Sequence, residues 1–227
     1  MNSSSNTKIS SLKSALNLEI DSANPDGTYQ DETVENIHRL ISELTPLTPT
    51  PRPIDEQLFV QSAWGSRFAQ FGPRHTAGKP ILHETKLNYQ CFSSFPAVPI
   101  RITDLRQEIC VVGNHYNNVS EISTPDGQHH CRLIVWGRYL LRPEAPQRYE
   151  VSFYAVEMVP PEGVSPQTLC AQFGLEEGGL LRRELTPPKF HSDVVFCDED
   201  MRINFGSVGG VYVMSRLAGP AKSVDLS

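Results

Sequence analysis

Beyond Leu58 the sequence is broken into short runs that alternate in period two and end at turn signals, and this feature restricts the fold most. In "SAWGSRFAQF", Trp64, Ser66 and Phe68 fall on one face of an extended chain, with Gly65, Arg67 and Ala69 on the other. "RQEICVVGN" and "CRLIVWGRYLL" flank "STPDGQ", whose Pro-Asp-Gly is a strong turn signal. "RYEVSFYAVEMV" sets Val151, Phe153 and Ala155 on one face against Ser152, Tyr154 and Val156. The last two runs, "DMRINFG" and "VYVMSRL", enclose Ser207-Val208-Gly209-Gly210. One short helical stripe, Ser165 to Phe173, interrupts the pattern. Strands that follow one another without long helices between them cannot build βαβ units. The pattern predicts an antiparallel barrel or sandwich.

The N-terminal part has a different period. Ile9, Leu12, Leu16 and Ile20 recur at helical steps; "NPDG" (Asn24 to Gly27) breaks the stripe; Val34, Ile37, Ile41 and Leu44 resume it. Asp31 and Glu32 sit near the start of this second stripe, where the helix dipole favours negative charge. The pair predicts a helical hairpin with one sticky face. "PLTPTPRP" follows, with four prolines in eight residues, and predicts a stiff extended connector. The expected organisation is a hairpin and connector over 1–53, a mainly β domain over 54–218 and a tail over 219–227.

Composition narrows the function classes. A net charge of -6 and the lack of basic clusters argue against nucleic acid and against electrostatic anchoring on an acidic membrane. No run approaches the ~20 apolar residues of a membrane-spanning helix. "MNSSSNTKIS" has no apolar core of a secretory signal, which predicts a cytosol-like compartment. The five cysteines (Cys91, Cys110, Cys131, Cys170, Cys197) are dispersed without CxxC spacing and read as reduced thiols; the sequons at Asn2 and Asn118 then carry no meaning.

Ser207 between glycines raises the question of a nucleophile. Gly206 lies directly before it and a strand pattern follows, so neither a Gly-x-Ser-x-Gly elbow nor a phosphate loop fits. The reading is a hairpin tip whose glycines supply positive φ. His129 and Cys131 share a strand face, but two ligands are too few for a structural zinc. His115 and His191 are isolated, and Asp198, Glu199 and Asp200 read as a solvated turn. Arg202 differs, because it sits inside a strand between Met201 and Ile203, where a half-buried guanidinium needs partners. No catalytic set, cofactor or metal site emerges, and the chain is read as a non-enzyme.

The C-terminal run "FCDEDMRINFG", continued by Gly210, Tyr212, Val213 and Met214, resembles the signature of the plastid lipid-associated protein (PAP)/fibrillin family. Phe196, Cys197, Asp198, Glu199, Asp200, Met201, Arg202, Ile203 and Gly206 stand at the positions of that signature. "ELTPLTPTPRPIDEQLFVQSAWGSRFA" is similar to the family's helix, connector and first Trp-bearing strand. Gln107, Ile109, Asn118 and Val119 resemble its central positions, and Arg148 with Phe153 its Arg-x-x-x-x-Phe strand. The likeness covers Leu12 to Arg216, although only the last motif is specific. Phe205, Cys197 and Phe196 depart from it, standing where the family has arginine, leucine and tyrosine.

The resemblance implies an α+β chain, mainly β: a lipocalin-like antiparallel barrel preceded by a helical hairpin. It implies a non-catalytic carrier for carotenoids, prenylquinones or other lipids in photosynthetic membranes. It also implies a cyanobacterial cytoplasm or thylakoid surface, or a plastid for a mature plant or algal form. Strand parity then turns Trp64, Phe68, Ile109, Val111, Leu133, Val135, Val151, Phe153 and Val213 inward, with Tyr139 and Arg202 orienting a head group. The same residues equally suit a closed core. Trp64 against Arg202 or Arg216 would close one barrel end by a cation–π contact. Two other functions stay open. One is a helper that docks through its helices on an enzyme of prenyl-lipid synthesis; the other is a bilin lyase-like chaperone with Arg138, Arg142 and Arg148 at its mouth.

Overall fold

The computed structural model describes residues 3–24, 27–70, 84–86, 98–175, 181–186, 189–207 and 209–219. Asn2, the Pro25-Asp26 pair, Cys91, Val208 and the tail beyond Gly219 lie outside the described residues. The two N-terminal stripes form α1 (Ser3–Asp21) and α2 (Asp31–Leu44). A four-residue helix, α3 (Gln57–Val60), precedes the sheet. The strands are β1 (Ser62–Gln70), β2 (Glu84–Lys86), β3 (Pro99–Cys110), β4 (His115–Ser123), β5 (His130–Leu141) and β6 (Arg148–Val159). After α4 (Pro166–Gln172) come β7 (Arg182–Glu184), β8 (Lys189–Cys197), β9 (Met201–Gly206) and β10 (Val211–Arg216).

Hydrogen bonding runs β1-β10-β9-β8-β6-β5-β4-β3, all antiparallel, and β3 returns to β1 through Ser62 opposite Ile109 and Trp64 opposite Gln107. Eight strands thus close a barrel with no free edge. β2 extends β3 at Arg101, and β7 pairs alongside β6 at Ala155. The predicted turns hold: Gly127 has φ 72° in the Pro-Asp-Gly turn, and the Gly206 amide donates to the Gly210 carbonyl at 2.8 Å across the β9–β10 hairpin. Ser165 caps α4, accepting from the Thr168 amide at 3.1 Å.

The helical hairpin lies on the outside of the wall. Leu16, Ile20, Ile37, Leu40, Ile41 and Leu44 pack against Phe68, Phe196, Met201, Ile203, Val211 and Val213 in one cluster. Its sticky face is therefore covered by the barrel's own strands.

Bulges supply that outer apolar face. β1 slips register between Ser66 and Phe68, and β8 between Val194 and Phe196. An extra residue inverts the parity of everything after it. Trp64 and Val194 accordingly face inward, while Phe68 and Phe196 point outward beneath the helices. A third bulge, opposite Trp136 and Gly137, turns β6 so that Val156 and Met158 rejoin the interior after Phe153. Gly137 is required there, since a Cβ would stand 2.4 Å from the Tyr116 carbonyl oxygen.

The proline connector is docked along one barrel end. Thr48 Oγ1 accepts from the Cys197 amide at 3.1 Å, the Tyr149 hydroxyl donates to the Pro53 carbonyl at 3.4 Å, and the Ile54 amide donates to Pro146 at 3.2 Å. α3 closes the same end with Val60, whose carbonyl accepts from Trp64 Nε1 at 2.9 Å. At the opposite end α4 lays Leu169 and Phe173 against the interior cluster.

Candidate functional site

The interior is apolar on most strands. Trp64, Ile109, Leu133, Val135, Tyr139, Val151 and Phe153 all belong to the interior cluster. Three expected lining residues do not. Phe68 is turned out by the β1 bulge. Val213 lies beneath the helical hairpin, because "VYVM" is apolar on both faces and offers no polar residue to fix its phase; Tyr212 and Met214 point inward instead. Val111 is a half-buried turn residue beyond the end of β3, where its amide donates to Gln61 Oε1 at 2.9 Å.

Across this interior runs a polar belt centred on Arg202, which is wholly buried. Its Nη2 donates to Gln107 Oε1 and lies 2.9 Å from the Met214 sulfur, while its guanidinium carbon stands 5.2 Å from the Trp64 ring centroid. The Tyr116 hydroxyl donates to the same Gln107 oxygen at 3.0 Å and shares a second 3.0 Å contact with the Ser192 hydroxyl. Asn204 Nδ2 donates to Ser192 at 3.0 Å. Four strands (β3, β4, β8 and β9) are thereby tied across the lumen.

The belt is incompletely satisfied. Arg202 Nε and Nη1, Asn204 Oδ1 and Asn118 Oδ1 are buried atoms without a hydrogen-bond partner. Each such atom is expensive, so their convergence on one lumen is unusual. Asn118 shares the inward face of β4 with Tyr116 and Ile122, yet is half-exposed; Gln107 and Phe153 keep 9% and 8% of their surface. Toward α3 the lumen is solid, for Trp64, Tyr149 and Arg202 are sealed at 0% exposure.

Tyr139 serves that sealed end. Its hydroxyl donates to Gln57 Oε1 of α3 at 3.1 Å, and its ring meets Tyr149 edge-on at 5.0 Å. Burial, aided by the Cys110 thiol, pushes its pKa up to about 12, and burial drives that of Tyr149 higher still. Both phenols stay protonated donors at any working pH.

The remaining motif positions have structural roles. Asp198 Oδ1 accepts from the amides of Asp200 and Met201 at 3.1 and 2.9 Å, shaping the β8–β9 turn, and Asp198 pairs with Lys13 at 2.6 Å. Ile203 belongs to the helix–barrel cluster, and Gly206 and Gly210 close the last hairpin. Arg148 grips Asp193 through two bonds of 2.7 and 2.8 Å. Arg142 pairs with Glu150 at 3.2 Å, and Arg138 donates to the Gly113 carbonyl and lies over Tyr154. Each of these three arginines is engaged by a neighbouring strand or turn. A groove of about 440 Å³ lies outside the barrel between α1 and the β8–β9 turn, with Lys13, Asp198 and Asp200 in its walls.

Tyr116, Ser192 and Asn204 were not foreseen. The available signal was parity: Asn204 stands two residues after Arg202, and Tyr116 two before Asn118, each polar on a face that is otherwise apolar. Among the described residues no group of three or more His, Cys, Asp or Glu could hold a metal. No described helix is long and apolar enough to cross a membrane. No family model matches the chain, and neither does any curated protein. The closed barrel is compatible with a ligand-binding or carrier role.

Proposed function

We propose that this protein is a non-catalytic carrier that holds a hydrophobic small molecule, such as a carotenoid, prenylquinone or other lipid, at the surface of photosynthetic membranes. The reading also makes it a relative of the PAP/fibrillin proteins, on the strength of its C-terminal run and its barrel. One observation carries the binding role: a wholly buried arginine with two unpartnered nitrogens stands on the barrel's inward face, which it shares with a partly exposed Asn118. The guest sits in the half of the barrel away from α3, with its polar end on the belt and its chain along Leu133, Val135 and Phe153. Burial of a prenyl or acyl chain there contributes about 25 cal/mol per Å² without any chemistry.

Organic extraction and native mass spectrometry of the protein purified from its own cells test this. The expected result is a co-purifying carotenoid, quinone or acyl lipid in near-stoichiometric amount. A bilin absorption band, or a chain that carries nothing, overturns the reading.

A further inference from the structure

We infer that the preferred guest is a monoanionic amphiphile, a long-chain carboxylate, whose head group completes the coordination of Arg202; this rests on the carrier reading above. No carboxylate among the described residues lies in salt-bridge range of Arg202. Among the described residues its compensation comes from the Gln107 amide oxygen, the Met214 sulfur and the face of Trp64. That ring is shared, because Arg216 lies 4.3 Å from the same centroid and bonds only backbone carbonyls, those of Glu199 and Phe59. Two guanidiniums thus converge on one indole at a sealed barrel end. A buried cation in this position is strongly disfavoured until an anion reaches it.

The chemistry of the belt separates the lipid classes. A carotenoid hydrocarbon leaves the charge unmatched. A quinone carbonyl accepts a hydrogen bond but brings no charge. A diphosphate brings more negative charge than Arg202 by itself can neutralise. A carboxylate supplies one charge and the acceptors that Nε and Nη1 lack. Gln107 and Asn118 face each other across β3 and β4 on the inward side, so a head group approaches Arg202 from the Asn118 side and reaches Nε and Nη1 as the side chains that cover them move aside.

The test compares oleate with oleyl alcohol, which share one chain, on the full-length protein and on Gln107→Glu. That substitution is nearly isosteric, keeps both acceptor roles of residue 107, and gives Arg202 an internal carboxylate. The wild type is expected to prefer oleate by about tenfold or more, and Gln107→Glu to lose that preference while its Tm rises. Arg202→Gln should lose the preference too; if it fails to fold, Gln107→Glu still decides. Equal affinity of the wild type for the two lipids overturns the head-group assignment and leaves the carrier role standing. So does a preference that survives in Gln107→Glu. If the wild type binds neither lipid, the assignment falls; if extraction from its own cells also yields no lipid, the carrier role falls with it.

Discussion

Arg216 lies 4.3 Å from the ring centroid of Trp64, opposite it in register, and so joins the last strand to the first. The same guanidinium donates to the carbonyls of Glu199 at 2.5 Å and Phe59 at 2.9 Å. One planar group therefore fastens β1, the β8–β9 turn and α3 at the sealed barrel end. Lysine keeps the charge but has neither the flat stacking surface nor the fork. Arg216→Lys is expected to lower stability by about 1–3 kcal/mol, read as a lower urea midpoint with unchanged slope.

Phe68 tests the outer wall rather than the lumen. It contacts Tyr29 at 5.5 Å between centroids and is fully buried beneath the hairpin. Phe68→Ala should lower stability by about 3–5 kcal/mol through a cavity. Hydrogen exchange should quicken in α1 and α2 more than in β4 and β5. Removing residues 1–53 should do worse, since it bares Phe68, Phe196, Ile203 and Val213 together and strips the connector from one barrel end. The truncated chain is expected to elute as aggregates that bind a hydrophobic dye; a monodisperse folded barrel would contradict the packing role of the hairpin.

The two helices, the turns and most strands were legible because each rests on local chemistry: a 3.6-residue stripe, a Pro-Asp-Gly, a two-residue alternation. Bulges were not. The misplacement of Phe68 follows from one inserted residue that no side-chain pattern announces in "WGSRFAQF". Val213 failed for another reason, because both faces of β10 are covered, one by the lumen and one by helices. The burial of Arg202 was foreseeable from its apolar neighbours. Of its partners, Met214 stands opposite it in the β9–β10 hairpin, whereas Gln107 comes from β3, far away in sequence, and only closure of the barrel brings it there.

The buried thiols report on that closure. Burial, with the Glu121 charge adding to it, pushes the Cys131 pKa up to about 12. Cys197 rises to about 11, because burial outweighs the opposing pull of Arg202 and Arg216. Only the thiolate attacks a disulfide reagent. At pH 8 the native protein should therefore leave both thiols unreacted, while half-buried Cys110 is labelled first among the described thiols. Labelling of Cys131 and Cys197, followed by peptide mapping, should appear only as denaturant opens the barrel. Fast labelling of either under native conditions would show a lumen far looser than the one described.

Lys13 ties α1 to the β8–β9 turn through Asp198 at 2.6 Å and through Asp200. Burial alone would lower the Lys13 pKa, but the hydrogen bonds and charges of the two aspartates win and hold it above its ordinary value. For Asp200 burial acts upward, and it is outweighed by bonding to Lys13 and Asp198, which keeps this carboxyl below the usual range. The two signs define a plateau. A depressed carboxylate contributes fully above its unfolded pKa of about 3.9 and loses that contribution as pH falls through the lower folded value. A raised ammonium contributes fully below about 10.4 and loses its share as pH rises through the higher folded value. Lys13→Met should accordingly lower Tm by roughly 2–4 °C near neutrality, corresponding to about 1 kcal/mol for a partly exposed pair. The gap to the wild type should begin to close as pH falls below about 4, and again as it rises beyond about 10.4. A difference that stayed constant from pH 3 to neutrality would mean that the lysine acts through its aliphatic stem against α1, with the two aspartates adding nothing.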